Sequence, residues 1–101
     1  MKYTGIDAKQ VHLHVQNLRN KIYNDIYECI DNDEPMPDES DVDKCIYIAS
    51  LQIPFLMKMP DSLWAIFVED DGTVTFTMQL VQADVRTSYR IKDGTIEVVV
   101  T

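Results

Sequence analysis

Two rhythms of apolar residues run along the chain, and one replaces the other near its middle. From Asp7 to Ile30, Val11, Val15, Leu18, Ile22 and Ile26 recur every three or four positions, with Cys29 and Ile30 closing the series. Gln10, Gln16, Asn17, Arg19, Lys21 and Asn24 lie among the polar positions between them. This spacing gathers the apolar side chains into one stripe and predicts a first amphipathic helix. Asp7 is placed to cap its start. Pro35 disfavours helical geometry at Glu34, so the helix should end in the DNDEP stretch.

A shorter helix is predicted next. Ser40 with Asp43 is a weak capping-box pattern, and Asp38 after Pro37 is a rival N-cap. Asp41 and Asp43 would fall in the first turn, where the helix dipole favours negative charge. Val42, Cys45, Ile46 and Ala49 form the apolar stripe. Pro54 lacks an N–H and is expected to stop this helix near Leu51 or Gln52. Residues 53–61, IPFLMKMPD, fit a buried loop, a short extra strand or an exposed apolar patch.

Beyond this point the period falls to two. Leu63 to Val68 is apolar on both faces, as for a strand covered on both sides or lying at an interface. Asp71-Gly72 is a strong hairpin signal. From Thr73 to Leu80, Val74, Phe76, Met78 and Leu80 alternate with threonines and Gln79. From Val85 to Ile91, Val85, Thr87, Tyr89 and Ile91 oppose Arg86, Ser88 and Arg90. Asp93-Gly94 marks a second hairpin, and Thr95 to Val100 completes the sheet. Helices first and strands afterwards imply an α+β domain, with two N-terminal helices packed on one face of a four-stranded antiparallel β-meander.

Length and composition agree with one such domain. A chain of 101 residues buries roughly 65% of its unfolded surface, enough for a core without staples. Hydrophobic residues make up 46% of it, too many for a disordered chain. No apolar run approaches the roughly 18 residues of a membrane span. MKYTGIDAKQ has no apolar stretch of signal-peptide type, so a soluble cytoplasmic protein is the expectation. Cys29 and Cys45, neither in a CxxC, read most simply as small buried hydrophobes in a reducing compartment, with a Cys29–Cys45 disulfide as the alternative.

Charge changes the picture more. The net charge is −8, and residues 31–43 carry seven acids without a Lys or Arg. Such a surface repels phosphate backbones and favours a basic protein partner over nucleic acid. Asp31, Asp33, Glu34, Asp38 and Glu39 are the candidate partner-binding acids. Trp64, Arg86 and Arg90 join them as candidates, because Trp and Arg are enriched at binding hot spots and are expected on the polar sheet face beside Thr75, Thr77 and Ser88.

Catalytic and metal chemistry find little support. His12 and His14 stand about 200° apart on a helix and do not converge on one ion. Read as an EF-hand from Asp31, the loop has Met36 where glycine is needed and Val42 where the bidentate Glu is needed. Neither a GxSxG nor a Gly-rich phosphate loop occurs. No cofactor, metal or catalytic residue is expected. The remaining ligand-binding reading has Tyr23, Tyr27, Tyr47 and Trp64 lining a pocket between helices and sheet.

The layout resembles one met among small uncharacterised bacterial proteins, some encoded in two-gene or mobile-element loci. The stretches that carry the likeness are DEPMPDESDVDKCIYIAS, PDSLWAIFVEDDGTVTFTM and TSYRIKDGTIEVVV, within residues 18–100. The resemblance implies a partner-binding protein, antitoxin-like or immunity-like. It does not extend to the basic helix-turn-helix or ribbon with which many antitoxins bind DNA. Two functional expectations follow: an acidic module that binds or neutralises another protein, or a homo-oligomeric assembly module in which Leu63–Val68 or Thr95–Val100 pair across a two-fold axis.

Overall fold

The computed structural model describes residues 7–101. Helix α1 spans Ala8–Asp31 and helix α2 spans Glu39–Leu56. Four strands follow: β1 (Ser62–Val68), β2 (Val74–Leu80), β3 (Val85–Lys92) and β4 (Thr95–Val100). They form one antiparallel sheet in the order β1-β2-β3-β4, the expected meander. A short 3-10 turn, Val81–Ala83, joins β2 to β3 and ends at Asp84 in the left-handed region (φ 52°).

Both helices begin as their caps dictate. The Asp7 carboxylate accepts from Lys9 N–H at 2.9 Å, and Asp38 accepts from Ser40 N–H at 3.1 Å. Asp38, not Ser40, is therefore the α2 cap, and Ser40 lies inside the first turn. The helix does not stop near Leu51 or Gln52, because Pro54 is accommodated within it. A proline so near the end removes one ladder bond. In return Ile53 and Leu56 reach the core, 0% and 3% exposed, each burial contributing about 2 kcal/mol. Residues 53–61 thus divide between the last turn of α2 and the turns leading into β1, with Phe55 and Met59 left exposed.

α1 lies on β1 and against α2, while α2 lies on β2 and β3. Phe76, fully buried on β2, sits in a core with Ile22, Ile53, Ile66, Val74 and Ile91. The period-two alternation explains which residues these are: Ile66, Phe76, Tyr89 and Val98 stand in register across the four strands and share one face. Cys29 and Cys45 are free and buried. Burial pushes the Cys45 thiol up to about 12, which keeps it protonated and unreactive at neutral pH. None of the helices among the described residues is long and apolar enough to cross a membrane.

Candidate functional site

Both Asp-Gly turns lie at the end of the sheet where α1 stops and α2 starts. At the first, Gly72 packs beneath the connector: a Cβ built on it would stand 3.2 Å from the Met36 carbonyl oxygen. At the second, the backbone N–H groups of Asp93 and Gly94 donate to the two carboxylate oxygens of Asp41, at 2.9 and 3.0 Å. Asp41 is only 3% exposed. It is a structural clamp on the β3–β4 turn and does not belong with the exposed acids of the connector.

These contacts place Asp70, Asp71 and Asp93 beside the acids of residues 31–43, making one acidic pole. Several of its carboxylates have structural tasks. Asp38 caps α2, and Glu39 and Asp41 lie in its first turn, where the dipole favours them. Asp33 ends α1 in the left-handed region (φ 54°), a conformation that short polar side chains tolerate. Asp71 accepts from Thr73 and faces Lys92 at 3.4 Å. The Thr73 hydroxyl and N–H, then Lys92, hold its carboxyl at about 2, below the ordinary 3.8.

Other acids have no such task. The side chains of Asp31, Glu34 and Asp43 are exposed and make neither a hydrogen bond nor an ion pair with other described residues. Glu28 and Asp31 also occupy the last turn of α1, which holds no basic residue. The dipole is negative there, so acids at this end oppose the fold. Glu34 and Asp70 are near enough for their charges to add to burial in raising the Cys29 thiol above its usual range.

The remaining sequence candidates go elsewhere. Trp64 does not project from the polar sheet face. It pairs with Met78 and turns toward the helices, half-buried, its ring 5.3 Å from His14 in an edge-on arrangement. The alternation of β1 requires this: Ile66 must enter the core, so Trp64 two residues away shares its face. Arg90 does lie on the polar face, but its charge is taken up. Its Nε donates to Glu69 Oε2 at 2.8 Å, its Nη2 to Glu69 Oε1 at 3.2 Å and its Nη1 to Glu97 Oε1 at 3.3 Å. Glu69 Oε2 also accepts from the Thr75 hydroxyl at 2.8 Å. Arg86 stands at the other end of β3 opposite Gln79, to which it donates at 3.3 Å, and stays exposed.

Thus Asp31, Asp33, Glu34, Asp38 and Glu39 come together, while Trp64 and Arg86 lie apart from them. Tyr23, Tyr27 and Tyr47 are exposed, whereas Trp64 lines a shallow groove with His14, Met57 and Ser62. The four do not form a common pocket wall. The acids of Asp70 and Asp71 escaped notice in the sequence because each lies far along the chain from the connector. The turn signal located their hairpin, but only packing of Met36 over Gly72 brings it to the pole. An open groove of about 480 Å³ runs there between Phe67, Glu69, Asp70, Asp71 and Arg90. Among the described residues, no group of three or more His, Cys, Asp or Glu side chains is arranged to hold a metal ion. Comparison with protein-family models, curated proteins and solved structures found no match to the chain.

Proposed function

We propose that this chain is a non-catalytic interaction module that binds, and so neutralises, a basic partner protein through its acidic pole, in antitoxin-like or immunity-like fashion. The observation that carries the reading is the set of acids with no part in holding the fold. Asp31, Glu34 and Asp43 make no side-chain bond within the described residues, and Asp31 sits where the α1 dipole disfavours it. Charge kept where the fold gains nothing from it is accounted for by a partner of opposite sign, which it would steer and orient.

The test compares the wild-type chain with a variant carrying Asp31→Asn, Asp33→Asn, Glu34→Gln and Asp43→Asn. Asn suits the left-handed geometry of Asp33, so the variant should fold with an unchanged circular dichroism spectrum. Wild-type bait in an extract of the native host should retain a stoichiometric basic protein at low salt and release it as salt rises. The screening length shrinks from about 10 Å at 0.1 M to about 3 Å at 1 M. The variant should retain far less of that protein. Recovery of no partner, or equal and salt-insensitive recovery by both baits, overturns the proposal.

A further inference from the structure

The two edges of the sheet differ, and the difference selects one of them. At the β1 edge, Glu69 N–H donates to the Thr73 carbonyl at 2.8 Å. Antiparallel alternation then turns the backbone groups of Ser62, Trp64, Ile66 and Val68 outward. One is already taken, since Val68 N–H donates to Asp25 Oδ2 of α1 at 3.4 Å. α1 also lies over this strand. At the other edge, Arg86 and Thr101 exchange both backbone bonds, at 3.0 and 2.9 Å. The same alternation turns the N–H and C=O of Ile96, Val98 and Val100 outward. Their side chains lie on the helix side of the sheet, where the helix layer stops short of β4, and are 46%, 55% and 64% exposed.

The strand β4 itself lacks the residues and bulges that usually blunt an edge. TIEVVV contains no proline, no lysine and no glycine, and its pairing with β3 runs without a bulge. Its only charge, Glu97, points to the opposite face and is bound by Arg90.

We infer that β4 pairs antiparallel with β4 of a second copy about a two-fold axis through Val98, giving a continuous eight-stranded sheet. The charge pattern of the strand argues for a copy of itself and for this register. About Val98, Ile96 meets Val100, Glu97 meets Val99 and Thr95 meets Thr101, so like charges do not face one another. Centring on Glu97 would set two glutamates opposite each other, which is unfavourable. The acidic poles are also kept apart. Each β4 starts at its own pole, and antiparallel pairing sends the poles to opposite ends of the strands. A six-residue strand is about 20 Å long, more than two screening lengths of about 8 Å at physiological salt. Pairing β4 with β1 instead would be head-to-tail and open-ended, and Asp25 and α1 obstruct it.

Sedimentation of the wild-type chain over a dilution series should show a monomer–dimer equilibrium. Val98→Pro should be monomeric throughout with an unchanged melt, because the N–H it removes points away from β3 and makes no ladder bond. Val98→Lys should likewise be monomeric, by setting two cations face to face. Oxidised Val98→Cys should yield a disulfide dimer, since hydrogen-bonded antiparallel partners stand about 5.5 Å apart at Cα, within disulfide reach. Val100→Cys should not, its two copies lying about 14 Å apart along the strands. The inference is overturned if the wild type stays monomeric into the millimolar range, if Val98→Pro and Val98→Lys both associate as the wild type does, if the chain forms open-ended oligomers, or if Val100→Cys cross-links as readily as Val98→Cys.

Discussion

Asp71-Gly72 and Asp93-Gly94 are the same dipeptide in two different settings. In the second, both residues have positive φ, 52° and 79°, as in a two-residue type I′ turn that suits the twist of a hairpin. In the first, only glycine does, at 89°. Gly72 N–H donates to the Glu69 carbonyl at 2.9 Å, so the loop is the longer kind that closes with a left-handed glycine. The surroundings differ more. Gly72 is buried under the Met36 carbonyl, whereas Gly94 is exposed with only the Lys44 ammonium near the position of a Cβ. The first turn is held by what covers it, and the second by one carboxylate reaching it from α2. The dipeptide determines that the chain reverses. Packing determines how much stability the reversal carries.

Four substitutions or titrations sharpen this contrast. Gly72→Ala should be the most damaging, lowering stability by about 3 kcal/mol in urea unfolding, because left-handed strain and crowding against a backbone oxygen act together. Asp41→Ala comes next, at about 2 kcal/mol: it strips two N–H groups of a charged acceptor, with Asp41→Asn intermediate. A loss no larger than that of an ordinary surface aspartate would show that the clamp does not hold the turn. Gly94→Ala meets only an ordinary contact with the Lys44 ammonium and carries the strain alone, about 1 kcal/mol. A measured loss as large as that of Gly72→Ala would erase the distinction between the turns.

The smallest effect is on acid stability. The Asp71 carboxyl is held at about 2 in the fold against 3.8 ordinarily. A depressed carboxylate stabilises the fold above its unfolded value, and that contribution is lost as pH falls. The window therefore runs from about 3.8 down to about 2. Asp71→Asn should lower stability modestly at pH 7 and flatten the curve in that window, the two chains converging as pH falls to about 2. An unaltered acid limb would show that the Thr73 and Lys92 contacts do not form in solution.

The elements were readable because each is dictated by neighbours in sequence. Val11 to Cys29 repeat at helical spacing, Val74 to Leu80 alternate, and the α1 cap at Asp7 is a short-range bond. Pro54 fails to stop α2 for an equally specific reason. Proline's local cost is small against the burial of Ile53 and Leu56, which no local pattern weighs. The face of Trp64 is not legible locally, because LWAIFV is apolar throughout and lacks the contrast that tells one face from the other. The acidic surface was half legible. Its connector acids are contiguous, but the clamp role of Asp41 depends on a bond to residues 52 and 53 positions further on.

The sequence by itself determined two helices, four strands, the two Asp-Gly reversals and a concentration of negative charge, since periodicity, caps and turn residues act over a few positions. Only the tertiary structure decided which acids are structural and which make no side-chain bond among the described residues, which Asp-Gly turn is buried, and which sheet edge those residues leave open. Those outcomes depend on how α1, α2 and the sheet are placed against one another. That placement is set by burial of Phe76, Ile22 and Ile53 together, a requirement that no single stretch of the chain can express.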